Sequence, residues 1–174
     1  MFDKVYLRIK KKEDVVVDES LNYPKEANKE DSKKGYTMLK EMLEVLDVPF
    51  DINSVKFTED GKPYLENSKI KFNYSHSKNY IACALSFAEV GCDIEDEFNV
   101  TKEGSELVLD SSTNRIRKAW VKRESYCKLL GKFDKETFRN VDLNNIDKNF
   151  YAVSNNKYDC SVYYDGEEKN LLLM

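Results

Sequence analysis

The order of candidate elements constrains the fold of this chain more than any other feature: a strand, a helix and three strands occur twice, at an offset of about 85 residues. Phe2 to Ile9 alternates apolar and polar residues and reads as an opening strand. Leu39, Met42, Leu43 and Leu46 recur at helical spacing after the candidate cap Ser32, giving a helix that ends before Pro49. Strands are expected around Val55 to Thr58, Ile70 to Tyr74 and Tyr80 to Ser86, with an Asp60-Gly61 turn leading from the first to the second. The second half repeats the order with a strand at Val90 to Glu95, a helix at Ser112 to Leu130 closed by Gly131, and strands at Thr137 to Leu143, Asn149 to Val153 and Tyr158 to Tyr164. Asp18 to Lys34, polar and broken by Pro24, reads as loop or frayed helix. The expectation is an α+β fold of two similar small lobes, residues 1–88 and 89–174, with any ligand site at their seam.

At 174 residues the chain can bury a core without a metal or disulfide staple. Its 28 Lys and Arg against 32 Asp and Glu give a net charge of −4, which argues against a nucleic-acid backbone as the main partner. Cys83, Cys92, Cys127 and Cys160 stand far apart with no Cys-x-x-Cys, so reduced, buried thiols are expected rather than zinc or disulfides. No apolar run approaches the ~20 residues that cross a bilayer, and the opening MFDKVYLRIKKKED carries charges inside any apolar core, unlike a secretory signal. Lys10 to Lys12 reads as a solvated strand end. The expected address is the cytoplasm, without a membrane partner.

Within this frame Gly91-Cys92-Asp93-Ile94-Glu95 is the sharpest local feature. The period of two along a strand puts Asp93 and Glu95 on one face and sends Cys92 and Ile94 into the core. Two carboxylates side by side repel unless a cation lies between them or one is protonated, and such hard oxygen donors suit Mg²⁺. The alternative is a solvated acidic strand end running on into Asp96 and Glu97. In the second helix Trp120, Glu124 and Lys128 form one stripe at i, i+4, i+8; the plain alternative is a Glu-Lys helical pair beside a core tryptophan. Asn73-Tyr74-Ser75-His76-Ser77 ends a strand with the only histidine between hydroxyls that can donate to phosphate. No Gly-x-Ser-x-Gly elbow accompanies it, which speaks against a Ser/His hydrolase. Gly61-Lys62-Pro63-Tyr64 by itself indicates a hairpin turn.

Taken in order, Gly61-Lys62-Pro63, Asn73-Tyr74-Ser75-His76-Ser77, Gly91-Cys92-Asp93-Ile94-Glu95 and Trp120 through Glu124 to Lys128 resemble the motifs of the 4'-phosphopantetheinyl transferases of the surfactin-synthetase-activating type. The resemblance covers residues 61 to 131. It implies a pseudo-dimer of two α+β lobes with coenzyme A and Mg²⁺, or Mn²⁺ in its place, at the seam. It implies that Asp93, Glu95 and Glu124 surround the metal, that Glu124 or a water it orients takes the proton from an acceptor serine, and that Lys128 neutralises the pyrophosphate. Lys62, Pro63, Ser75 and His76 would hold the adenine end and 3'-phosphate of coenzyme A, with Lys34 among the substrate-binding residues, and Trp120 would be a packing anchor. The partner implied is an acyl or peptidyl carrier protein, served by a monomer, since two lobes in one chain complete the site.

The chain departs from that pattern in three places. Arg123 replaces the usual Lys before Glu124, with Lys122 one place earlier; Lys34-Gly35 follows Lys29-Glu30-Asp31 where an Arg-Thr pair is usual; and the stretch from Asp93 to Trp120 is short. Residues 89–111 carry eight acidic and one basic side chain, whereas residues 112–139 carry nine basic and three acidic. A helix presenting Arg115, Arg117, Lys118 and Lys122 would steer an acidic carrier toward the site. A non-catalytic coenzyme A- or carrier-binding relative and a Mg²⁺-dependent phosphodiesterase are the rival readings of the same residues.

Overall fold

A computed structural model describes residues 4–97, 113–132, 134–167 and 170–174. In chain order the elements are β1 (Val5–Lys11), α1 (Glu30–Val45), β2 (Val55–Phe57), β3 (Pro63–Leu65), β4 (Lys71–His76), β5 (Tyr80–Ser86), β6 (Val90–Glu95), α2 (Thr113–Leu130), α3 (Lys135–Asn140), β7 (Asn149–Ser154), β8 (Asp159–Tyr164) and β9 (Leu171–Leu173).

The two faces of β5 organise the layers. Ile81, Cys83 and Leu85 point to one side, where they meet Tyr36, Leu39, Met42 and Leu43 of α1 and Phe72 of β4. Ala82 and Ala84 point to the other, where with Val5 and Leu7 they pack on Val90, Cys92, Ile94, Cys160 and Val162. Small residues on that face allow two sheets to approach closely. The first sheet has the strand order β4-β5-β1-β9 and the second β6-β8-β7, while β2 and β3 form a separate hairpin. With α2 packed on β6 and β8, the layers run α1, first sheet, second sheet, α2. The chain is therefore α+β, with α1 covering a mixed four-stranded sheet and α2 covering an antiparallel three-stranded one.

Several boundaries differ from the sequence expectation for identifiable reasons. Ser32 is not a cap: α1 begins at Glu30, inside the stretch read as loop, after Lys29, which makes no side-chain cap. Glu30 and Asp31 in its first turn favour the start through the helix dipole instead. The Asp60-Gly61 turn leads into β3 rather than directly into β4; Phe57 pairs with Pro63, and Gly61 takes φ +82°. Thr137 to Leu143 is not a strand. Asp134 caps a short helix there by accepting from the Thr137 backbone N–H at 2.7 Å, and α3 runs Lys135–Asn140. The third strand of the second half is instead β9, which leaves its own half and pairs in parallel with β1, Val5 opposite Leu171. All four cysteines are free and buried.

Candidate functional site

The site is assembled where α2 lies on β6. Gly91, Asp93 and Glu95 face the helix, while Cys92 and Ile94 are buried between the sheets. At Gly91 the contact is backbone to backbone: an ideal Cβ there would lie 2.2 Å from Leu129 N and from Ser125 O. That close approach lowers the turns carrying Glu124 and Lys128 onto Asp93.

Asp93 is almost fully buried. Its Oδ1 accepts from Ser75 Oγ at 2.7 Å and from Lys128 Nζ, which also donates to Ser75 Oγ at 2.8 Å. Lys128 Nζ lies 3.4 Å from Glu124 Oε2. Burial works against the Lys128 ammonium, yet the charges of Asp93 and Glu124 outweigh it and raise its pKa above the ordinary value. Burial, with the charges of Asp93 and Glu124, pushes Glu95 up to about 8. Burial and the Asp93 charge likewise hold Glu124 well above the usual carboxylate range, against the pull of Lys128. Half-buried Glu95, Glu124 and Lys128 thus surround the buried Asp93. Among the described residues no three acidic, histidine or cysteine side chains already converge as metal ligands. The donor set nevertheless fits a hard divalent cation: it is all oxygen, it is crowded with negative charge, and Asp93 Oδ2 is buried without a hydrogen-bond partner.

Alternation along β4 distributes its motif to two places. Asn73 and Ser75 face β6; Asn73 Oδ1 accepts from the Cys92 N–H at 2.9 Å, which joins the two sheets, and Ser75 joins the carboxylate cluster. Tyr74 and His76 face α1, where the Tyr74 ring meets Tyr36 with centroids 5.4 Å apart. His76, 46% exposed, places Nδ1 3.3 Å from Asp31 Oδ2. Burial lowers its pKa, with Asp31 opposing. Beside it Lys12 Nζ bonds Asp31 at 2.8 Å and the Ser77 carbonyl at 3.1 Å, and Lys34 Nζ bonds Glu30 at 3.0 Å and the Lys12 carbonyl at 2.9 Å. Ser75 and His76 therefore belong to different clusters. Lys12, read in sequence as solvated, is a member of the second; Lys10 also has a partner, Glu41, at 2.7 Å. Neither pairing had a local signal, because both acceptors lie on α1.

Lys62 reaches neither cluster. Its Nζ donates to Glu89 at 2.8 Å and to the Leu129 carbonyl at 2.9 Å, tying the β2–β3 hairpin to the end of α2. Pro63 lines, with Lys62, Tyr64, Lys71, Phe72 and Glu89, a cavity of about 260 Å³. Trp120 is half-buried against Phe138 of α3, centroids 4.7 Å apart, rather than in the main core. Arg123 Nη1 donates to the Phe138 and Val141 carbonyls at 3.1 and 2.6 Å, so it braces α3.

The basic helix is less exposed than its composition suggests. Lys118 is exposed, and Lys122 lies half-buried with Nζ 4.6 Å from the Phe150 ring centroid. Arg117 turns inward to Asp159 and the Asp96 carbonyl. The Arg115 side chain and the acidic segment 98–111 lie outside the described residues. Asp96 is not solvated: its carboxylate accepts from the Lys78, Asn79 and Glu97 N–H groups at 2.7 to 3.1 Å.

Fold and site define an α+β protein with a largely buried carboxylate-lysine cluster beside a charge-balanced cluster of Lys12, Lys34 and His76 with Glu30 and Asp31 at the start of α1. No family model matches the chain. It is 31% identical over 106 residues to 4'-phosphopantetheinyl transferase gsp of Aneurinibacillus migulanus, an alignment that takes in 53% of this chain and 44% of that protein. The chain thus spans less than half the length of this curated relative. The similarity bears out the resemblance carried by the motifs, to the 4'-phosphopantetheinyl transferase superfamily of the gsp type. Among the described residues no helix is long and apolar enough to cross a membrane.

Proposed function

We propose that the protein transfers 4'-phosphopantetheine from coenzyme A to a serine of an apo acyl or peptidyl carrier protein and releases 3',5'-ADP. The observation that carries this reading is the gathering of half-buried Glu95, Glu124 and Lys128 around buried Asp93, on the residues of the family motifs. In the finer form of the proposal the two halves, residues 1–88 and 89–174, act as a pseudo-dimer around one seam, and the protein works as a monomer in the cytoplasm. Four free, buried thiols agree with a reducing compartment.

In this mechanism the serine Oγ attacks the pantetheine-side phosphorus, the Oγ–P bond forms as the bond to the ADP oxygen breaks, and Glu124 takes the serine proton. Its raised pKa suits a general base near neutral pH. Lys128, its side chain only 12% exposed, neutralises charge on the departing pyrophosphate oxygen. Mg²⁺, or Mn²⁺, would be held by Asp93, Glu95 and Glu124 and would supply further neutralisation of phosphate charge. Lys34 and His76, together with Lys12, would turn from Glu30 and Asp31 to the 3'-phosphate, while Lys62 and Pro63 border the cavity suited to adenine. Ser75 would orient Asp93 and Lys128 rather than meet the 3'-phosphate.

The test is incubation of the purified protein with coenzyme A, Mg²⁺ and an apo-carrier, read as the mass gain of the carrier. Binding of coenzyme A without mass gain refutes transfer, and hydrolysis without a carrier indicates a phosphodiesterase. His76→Ala is expected to raise the KM for coenzyme A roughly tenfold with little change in kcat, and to leave 3'-dephospho-coenzyme A unaffected, because a contact remote from the reacting centre contributes binding alone. Equal damage with both substrates would assign His76 to the chemistry or to packing. Lys118→Glu is expected to lower kcat/KM for an acidic carrier about 3- to 10-fold without changing coenzyme A binding, and wild-type kcat/KM should fall as salt shortens the Debye length from ~10 Å to ~3 Å. A salt-insensitive rate would remove Lys118 from docking.

A further inference from the structure

On the face of the second sheet that meets α2, three cross-strand pairs lie in rows: Gly91 with Tyr163, Asp93 with Ser161, and Glu95 with Asp159. Each row is fastened to the helix, and successive rows engage it progressively nearer its N-terminus. Tyr163 meets the Tyr126 ring at 5.4 Å between centroids; Ser161 Oγ lies 2.6 Å from Ser125 Oγ and donates to the Val121 carbonyl at 2.6 Å; Asp159 meets Arg117. The last row is unusual, because it sets two carboxylates directly opposite on one face, where like charges destabilise a strand pair. Asp159 is 1% exposed, and among the described residues its Oδ1 has no hydrogen-bond partner.

Arg117 resolves that conflict. Its side chain is 16% exposed; Nε donates to Asp159 Oδ2, and Nη1 donates to the carbonyl of Asp96, the residue after Glu95, at 2.9 Å. One guanidinium therefore grips β8 directly opposite Glu95 and the chain one residue beyond it. Seven residues separate Arg117 from Glu124, so both stand on the same side of α2, two turns apart.

We propose that Arg117 is a positioning residue for the carboxylate cluster. Its fork fixes Glu95 relative to α2, and hence to Glu124, while its charge keeps Asp159 from competing with Glu95 for a cation. Lysine cannot replace the fork, since a single ammonium does not hold both acceptors in the same fixed geometry. The inference rests on the transfer reading for its kinetic arm only.

The experiment uses the full chain and Mn²⁺ as the probe, with bound ion counted by electron paramagnetic resonance and carrier transfer assayed in parallel. Arg117→Met alone strands a buried charge and is expected to unfold, so the main variant is Arg117→Met with Asp159→Asn, which removes both members of the pair. Arg117→Lys is the second variant. The double variant is expected to fold, to bind Mn²⁺ about tenfold more weakly, and to lose about tenfold in kcat with an unchanged KM for coenzyme A; Arg117→Lys should fall between it and wild type. Wild-type Mn²⁺ affinity and kcat in the folded double variant would overturn the inference, as would a wild-type protein that binds no Mn²⁺. Should the double variant not fold, Arg117→Lys decides on the same two readouts. A wild-type protein that binds Mn²⁺ but transfers nothing refutes the proposed function while the Mn²⁺ arm still tests Arg117; active variants equal to wild type refute Arg117 alone.

Discussion

Glu124→Gln is expected to lower kcat for carrier modification by about 10² to 10⁴-fold, the usual contribution of a positioned base, while raising the thermal stability of the metal-free protein above neutral pH. An amide keeps the shape of the side chain but cannot take the proton that the proposed mechanism assigns to Glu124. The stability gain follows from the crowding of carboxylates. Glu95 has its folded pKa raised from 4.5 to about 8, so the native state binds a proton that the unfolded chain has released across that interval. The stability linked to it is fully present below about 4.5 and is lost as the pH rises through about 8. Removing the Glu124 charge relieves one source of that shift, and Mg²⁺ should relieve it in the wild type. Melting temperatures between pH 6 and pH 9, with and without Mg²⁺, are to be measured beside single-turnover transfer. Near-normal transfer by the variant would end the role of Glu124 as the base; a melting curve indifferent to both the substitution and Mg²⁺ would end the account of a strained carboxylate cluster.

Where local physics dominated, the sequence was informative. Tyr80 to Ser86 and Val90 to Glu95 are strands with the expected bounds, because each is hydrophobic on at least one full face and each packs against a sheet on that face. The Ser112 to Leu130 helix was legible to within one residue from its periodicity and Gly131. Thr137 to Leu143 failed because β-branched and aromatic residues suggest a strand, whereas the Asp134 cap, three residues earlier, decides for a helix. β9 was missed because three leucines carry no period, and its parallel pairing to β1 is a long-range event. The site divides in the same way. Asp93 and Glu95 on one face, and Glu124 with Lys128 on one stripe, followed from strand and helix geometry. That Arg117 would turn inward and that Lys12 would join His76 depended on acidic partners distant in sequence, which no window around either residue contains.

The close approach that makes the site possible sets the last expectation. Gly91→Ala would place a methyl 2.2 Å from Leu129 N and Ser125 O and 2.8 Å from Lys128 C, all of them backbone atoms of α2. Side chains can rotate away from such a clash, but a hydrogen-bonded helix can only move as a body, and α2 is held from other directions by Arg117, Ser125 and Lys62. A loss of about 3 kcal/mol, at the upper end for overpacking, is expected, or roughly 6–12 °C in Tm for a chain of this size. The displaced turns carry Glu124 and Lys128, so the fraction that stays folded should also lose about 10²-fold in kcat, the effect of an ångström of misplacement. Gly61→Ala is the control: Gly61 has φ +82° but nothing within 4 Å of the added methyl, so only backbone strain of about 1 kcal/mol is expected, with transfer unchanged. Chemical denaturation and single-turnover assays on the two variants separate backbone strain from helix displacement. If Gly91→Ala were no more damaging than Gly61→Ala in both measurements, the tight seating of α2 on β6 would not be what holds the turns of Glu124 and Lys128 in place.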